Sequence, residues 1–122
     1  MKDAIFLTAR PIDPKLCAEA LAASVSDVNG SRTCVSFGKA QKSLYIWFPS
    51  VLREEESENF IYKDISGVPS SLPFGTHLEY HRGRELKKAV EGLRSVCPEL
   101  FVIDNDERVF SAVDYLVQAQ DD

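Results

Sequence analysis

Between Phe74 and Asp106 the hydrophobic period changes twice, so this stretch must be built from more than one kind of element. His77, Glu79 and His81 share one side of any strand formed there, and Leu78 and Tyr80 take the other, because strand side chains alternate. Gly83 interrupts that run. Leu86, Val90, Leu93 and Cys97 then recur at spacings of four, three and four, which is one face of a helix. Arg84, Glu85, Lys87, Lys88, Glu91 and Ser95 fall on the solvent side of it. Pro98 closes the helix, since it has no N–H to donate and restricts the residue before it. Leu100 to Ile103 is continuously apolar, as in a strand that is central or covered on both faces. Asp104-Asn105-Asp106 ends it with turn chemistry. The stretch predicts a strand–helix–strand unit.

The rest of the chain extends this pattern. Ala4 to Leu7 predicts an interior strand. Asp13-Pro14 starts a helix, with an acceptor at the N-cap and proline at the first helical position. Cys17, Leu21, Val25 and Val28 form its apolar stripe as far as Asn29-Gly30, which predicts its end. Thr33, Val35 and Phe37 alternate with Arg32, Cys34 and Ser36 as a second strand. After a loop over 38–42, Leu44, Ile46 and Phe48 form a third, with Tyr45 and Trp47 on its other face. From Pro49 to Gly75 the pattern is irregular, with Phe60-Ile61-Tyr62 as an edge strand, and long loops of this kind are often functional. Arg108 to Phe110 pairs back on the preceding strand. Ala112 to Gln120 predicts a closing helix, with Val113, Leu116 and Val117 on one face.

The expected fold class is α+β, with a ferredoxin-like split βαβ core. An antiparallel or mixed sheet carries helices mainly on one face, elaborated by a middle insertion and a C-terminal helix. The 122 residues suit a single domain spanning 1–122. The core is expected from Ile5, Leu7, Leu21, Val25, Val35, Phe37, Leu44, Ile46, Leu86, Val90, Leu93, Leu100 and Val102. Such a fold hosts many functions, so function must come from a site.

Charge narrows the choice of site. The formal net charge is −5, and residues 99–122 hold seven acids against Arg108 alone. Glu54, Glu55, Glu56 and Glu58 form a second acidic knot. Nucleic-acid binding, which needs a positive footprint, is therefore not expected, whereas a basic protein partner would suit these fields. No apolar run approaches the roughly 20 residues a membrane helix needs, so no membrane association is expected. The N-terminal apolar stretch is too short for a signal peptide. Cys17, Cys34 and Cys97 are an odd number without a CxxC spacing, which predicts reduced thiols and a cytoplasmic location.

Catalysis is not expected. No serine or cysteine sits in a nucleophile signature, and the glycine spacing of phosphate or dinucleotide loops is missing. The alternative reading is a small-molecule- or metal-binding ferredoxin-like domain using His77, Glu79 and His81, which could together hold a divalent metal if all three project from one strand face. A solvated strand face is the expected case, with no cofactor. Asp104, Asp106 and Glu107 read first as a turn. Tyr45, Trp47 and Tyr62 are candidate exposed aromatics, because Leu44, Ile46 and Phe48 compete for the core side.

In size, charge and layout the whole chain resembles the small, acidic, single-domain α/β immunity proteins that bacteria encode beside secreted or contact-delivered toxins. The resemblance implies a cognate protein toxin with a basic surface, such as a nuclease, neutralised by carboxylates presented to its cationic cleft. Here those carboxylates would be Glu54, Glu55, Glu56 and Glu58, or Asp104, Asp106 and Glu107, with Tyr45 and Trp47 as aromatic anchors.

Overall fold

The computed structural model describes residues 1–28, 32–38, 43–52, 67 and 69–118. Among these residues, eight strands and three helices follow in the order β1 (Lys2–Thr8), α1 (Pro14–Leu21), β2 (Ser24–Val28), β3 (Arg32–Phe37), β4 (Leu44–Phe48), β5 (Val51–Leu52), β6 (Phe74–Tyr80), α2 (Gly83–Arg94), β7 (Phe101–Ile103), β8 (Val109–Ser111) and α3 (Ala112–Gln118). All strands join one antiparallel sheet in the order β2-β3-β4-β6-β1-β7-β8, with β5 pairing a part of β6. The protein is α+β, and among the described residues no helix is long and apolar enough to cross a membrane.

Alternation along the strands produces two apolar clusters. The main one joins Ala4, Phe6, Val35, Leu44, Ile46, Leu78 and Val102 of the sheet to Cys17 and Leu21 of α1, Leu86, Val90 and Leu93 of α2, and Tyr115 of α3. The smaller one joins Ile5, Leu7 and Ile103 to Leu72, on the chain leading into β6. Neighbours in sequence on β1 thus enter opposite clusters, which is why Ala4 to Leu7 is apolar without interruption. The helices all pack on one face. Among the described residues, the other face carries no helix and only the small cluster at one end.

α1 begins as expected. Asp13 accepts a hydrogen bond from the Lys15 N–H at 2.9 Å, and Pro14 occupies the first turn. It ends earlier than its stripe predicts. Ala22 adopts a left-handed conformation (φ 51°), its N–H reaching Glu19 O at 3.3 Å while the Ala23 N–H reaches Ala18 O at 2.9 Å. That pair of bonds is the Schellman closure, made here without glycine. Ser24 to Val28 then pairs with β3 as the sheet's edge strand, Val25 opposite Val35. Val25 is consequently 45% exposed instead of buried. Ser-Val-Ser-Asp-Val is a poor helix sequence whose valines also fit a strand, and Asn-Gly is the composition of a hairpin turn as well as of a helix stop. Phe37, also expected in the core, packs against it half-buried.

α2 buries Leu86, Val90 and Leu93 as expected but stops at Arg94, so Cys97 follows the helix and sits half-buried. The α3 face differs from expectation. Ala112 and Tyr115 are buried, Leu116 is half-buried, and Val113 and Val117 are 52% and 79% exposed. The Tyr115 ring meets Phe110 edge-on, with centroids 5.6 Å apart, and this larger aromatic contact sets the rotation of so short a helix. The sequence pattern does not predict β2 or β5, and Phe60-Ile61-Tyr62 lies outside the described residues.

Two substitutions test the packing between α1 and α2. A Cβ at Gly92 would stand 2.5 Å from Leu21 Cδ2 and 3.1 Å from Ala20 O. Gly92→Ala should therefore lower stability, because overpacking of about 1–3 kcal/mol outweighs the gain in helix propensity of about 1 kcal/mol. Ala22→Gly should raise stability by up to about 1 kcal/mol, since it removes a side chain from a left-handed position. Denaturant midpoints moving in the same direction would contradict the geometry at that corner.

Candidate partner-binding face

The helix-free face brings together residues from four strands. On β4, Tyr45 and Trp47 lie two residues apart and project together, their rings stacked with centroids 6.5 Å apart and planes inclined by 27°. Arg32 of β3 places its guanidinium 4.7 Å from the centroid of the Trp47 ring. The indole Nε1 donates to Glu79 Oε1 of β6 at 2.8 Å. Trp47 is therefore held by a stacked ring, a cation and a carboxylate, and is half-buried. Register accounts for the assembly: Cys34 stands opposite Trp47, and Tyr45 opposite Glu79. On the neighbouring strand pair, His77 Nε2 lies 2.9 Å from Asp3 Oδ1.

These contacts place the residues of the metal reading. His77 and Glu79 do share a face, but His77 meets Asp3 and Glu79 meets Trp47. His81 follows the end of β6 and is exposed. Among the described residues, no group of three or more His, Cys, Asp or Glu is placed to hold a metal ion.

The acidic clusters fare differently. Glu54, Glu55, Glu56 and Glu58 lie outside the described residues. Asp104 is a structural group, its side chain only 6% exposed. Its Oδ1 accepts from the backbone N–H of Asp106 and of Arg108, at 3.0 and 2.9 Å, and its Oδ2 accepts from Arg108 Nε and Nη2, at 2.9 and 2.8 Å. This fork holds the β7–β8 turn, in which Glu107 takes a left-handed φ of 63°. Hydrogen bonding and charge from Asp104 in turn push the Arg108 pKa above its ordinary value. Asp106, 73% exposed and 3.5 Å from Arg108, and the exposed Glu107 remain at the surface. The turn borders a cleft of about 420 Å³ that Lys2, Tyr80, Gly83 and Tyr115 also line. Of the three carboxylates read from the sequence, Asp104 is already matched by a cation of its own turn.

The thiols carry no sign of activation. Burial pushes Cys17 up to about 12, helped by the Cys97 thiol; burial also raises Cys34 and Cys97. A nucleophilic cysteine has a lowered value instead. The helix-free face presents fixed aromatic area, one guanidinium and two carboxylates at set distances. Arg32 and Asp3 were not singled out in the sequence. The usable signal was the parity of the β3–β4 hairpin, which puts Arg32 on the same side as Trp47 once the register is known. Comparison with family models, with curated proteins and with solved structures found no match.

Two outcomes follow from these groups. Asp104→Asn should destabilise the fold more than Asp106→Asn, because only the first weakens acceptors for two backbone N–H groups and the Arg108 fork. Equal melting temperatures for the two variants would contradict this assignment. For Cys17, the folded thiol stays neutral while the unfolded one ionises from about the ordinary value of 9.0. Its contribution to stability is complete below that pH and is lost as the pH rises from 9.0 towards about 12. Cys17→Ala should therefore show a shallower alkaline fall in denaturant midpoint than the parent chain.

Proposed function

We propose that this chain is a protein-interaction module of the immunity type, which binds and neutralises a cognate toxin with a basic surface in the cytoplasm of the cell that makes it. The observation that carries this reading is the state of Trp47: a large aromatic side chain at the surface, already fixed by Tyr45, Arg32 and Glu79. Tryptophan, tyrosine and arginine are the residues that dominate binding energy at protein interfaces, and a side chain ordered in advance loses less entropy on binding. Asp3 and Glu79 set carboxylates beside the aromatics, and the net charge of −5 favours approach by a cationic partner. A single arginine on a face that also carries these acids is a poor footprint for a phosphate backbone.

The core of this module is read as a split βαβ arrangement. Supporting that reading, β4, β6, β1 and β7 are consecutive in the sheet, and α1 and α2 pack on the same side of it. β2, β3 and β8 would then be additions at the two edges.

The test is a kinetic binding series against the product of the neighbouring reading frame. Trp47→Ala should raise the dissociation rate and cost about 2 kcal/mol or more, as hot-spot truncations do. Association should slow with added salt, and reversal of Glu55 and Glu56 to lysine should slow it further. A folded Trp47→Ala variant that binds the toxin as the parent does would remove the helix-free face from the interface.

A further inference from the structure

We infer that the outer edge of β2 is a self-association site, at which a second copy of this chain pairs antiparallel and joins the two sheets into one. β2 is the end strand of the sheet, and among the described residues its one strand neighbour is β3. The outer row of N–H and C=O groups on β2 therefore has no strand partner among those residues. Edges of this kind are usually blunted by lysine, proline or a bulge. Ser24, Val25 and Ser26 are all exposed, and none of the three carries a charge or interrupts the register.

The occupant is selected by what this edge sets opposite itself. Cross-strand neighbours share a face, so Val25 lies on the helix side with Val35. Val35 is fully buried there, whereas Val25 at the edge is 45% exposed. A two-fold axis perpendicular to the sheet at Val25 brings the valines of two copies together and removes both from water. The same axis sets Ser24 of each copy opposite Ser26 of the other on the helix-free side, because Ser-Val-Ser reads the same in both directions. Hydroxyl pairs and β-branched pairs are favourable cross-strand neighbours. Moving the axis by one residue loses the match, since Val25 would then stand opposite Asp27 or Ala23 of the second copy.

The opposite edge of the sheet is less suited: β8 pairs over three residues and runs directly into α3. An extended segment of another protein would meet the same backbone groups of β2 without the pairing of like with like. Charge fits a second copy as well. The net charge of −5 holds copies apart, and an uncharged edge is where they can approach. Salt should therefore strengthen this association, whereas it weakens attraction to a basic partner. The site is independent of the face around Trp47.

The experiment measures sedimentation of the full chain over a range of concentrations, at low and moderate salt. A single strand pair is a small interface, so the mass should rise with concentration from that of one chain to that of two. It should stop there, because an isologous pair uses both edges. Val25→Lys should weaken the association about tenfold or more, since it sets two like charges side by side. Val25→Cys tests the register: mild oxidation should link two chains through the introduced thiols, beyond any linkage in the parent chain. Ser26→Cys should give no such link, because Ser26 meets Ser24. These positions are exposed, and unchanged melting temperatures verify the fold. Ser24→Glu with Ser26→Glu sets like charges opposite each other twice, and it replaces Val25→Lys if that variant melts early. Trp47→Ala should leave the mass unchanged, so this site can fail without the toxin interface failing, and the reverse. A single-chain mass at every concentration, growth beyond two chains, indifference to Val25→Lys and to the double variant, or a link in Ser26→Cys but not in Val25→Cys would overturn the proposal.

Discussion

The constraint on which the rest of the structure depends is that β1 has to be covered twice. Phe6 and Leu7 are consecutive and both completely buried, yet they point to opposite faces of the sheet. The Phe6 side is met by the three helices, and the Leu7 side by Leu72 on the chain that leads into β6. Burying such side chains yields roughly 1.5–3 kcal/mol each, so a β1 uncovered on either side would forfeit a large fraction of a small domain's net stability. Among the described residues, the second cover is local: Leu72 packs with Ile5, Leu7 and Ile103, while Tyr45, Trp47 and Glu79 lie on the part of that face outside this cluster.

Charge is handled at two scales. In the β7–β8 turn, Asp104 and Arg108 satisfy each other and two backbone N–H groups within five residues. The acid-rich C-terminal stretch thus contributes less free negative charge than its composition suggests. On the helix layer the local composition is reversed, because Arg84, Lys87, Lys88 and Arg94 of α2 line one surface with Glu91 and Leu116. Net charge alone hides both facts; what a partner meets is the local field.

How much of this was legible in the sequence varied with the source of the signal. Leu86, Val90 and Leu93 were readable because a twelve-residue helix repeats its period often enough to fix a face. Ser24 to Val28 was not, because five residues with valines three apart fit either a helix or a strand. The deciding bonds, Ala22 to Glu19 and Ala23 to Ala18, are made by alanines that give no warning. α3 failed for a related reason: seven residues with valine and leucine on one side and a tyrosine on the other are settled by tertiary packing against Phe110. At the binding face, Tyr45 and Trp47 followed from alternation alone. Their contacts with Arg32 and Glu79 required strand order, which local pattern does not contain. His77 and Glu79 were correctly placed on one side, but β6 ends before His81, and the neighbours of the first two proved to be Asp3 and Trp47.

The chain contains one tryptophan, and the three groups around it make that residue an optical gauge. Its emission comes from a single environment, polarised by a guanidinium over the ring and a carboxylate at the indole nitrogen. Loosening β3 or β6 would alter that environment before the helix layer came apart. Intrinsic fluorescence should therefore record events on one side of the sheet while far-ultraviolet dichroism records the helices on the other. Any separation between the two signals would measure how tightly the faces of this sheet are coupled.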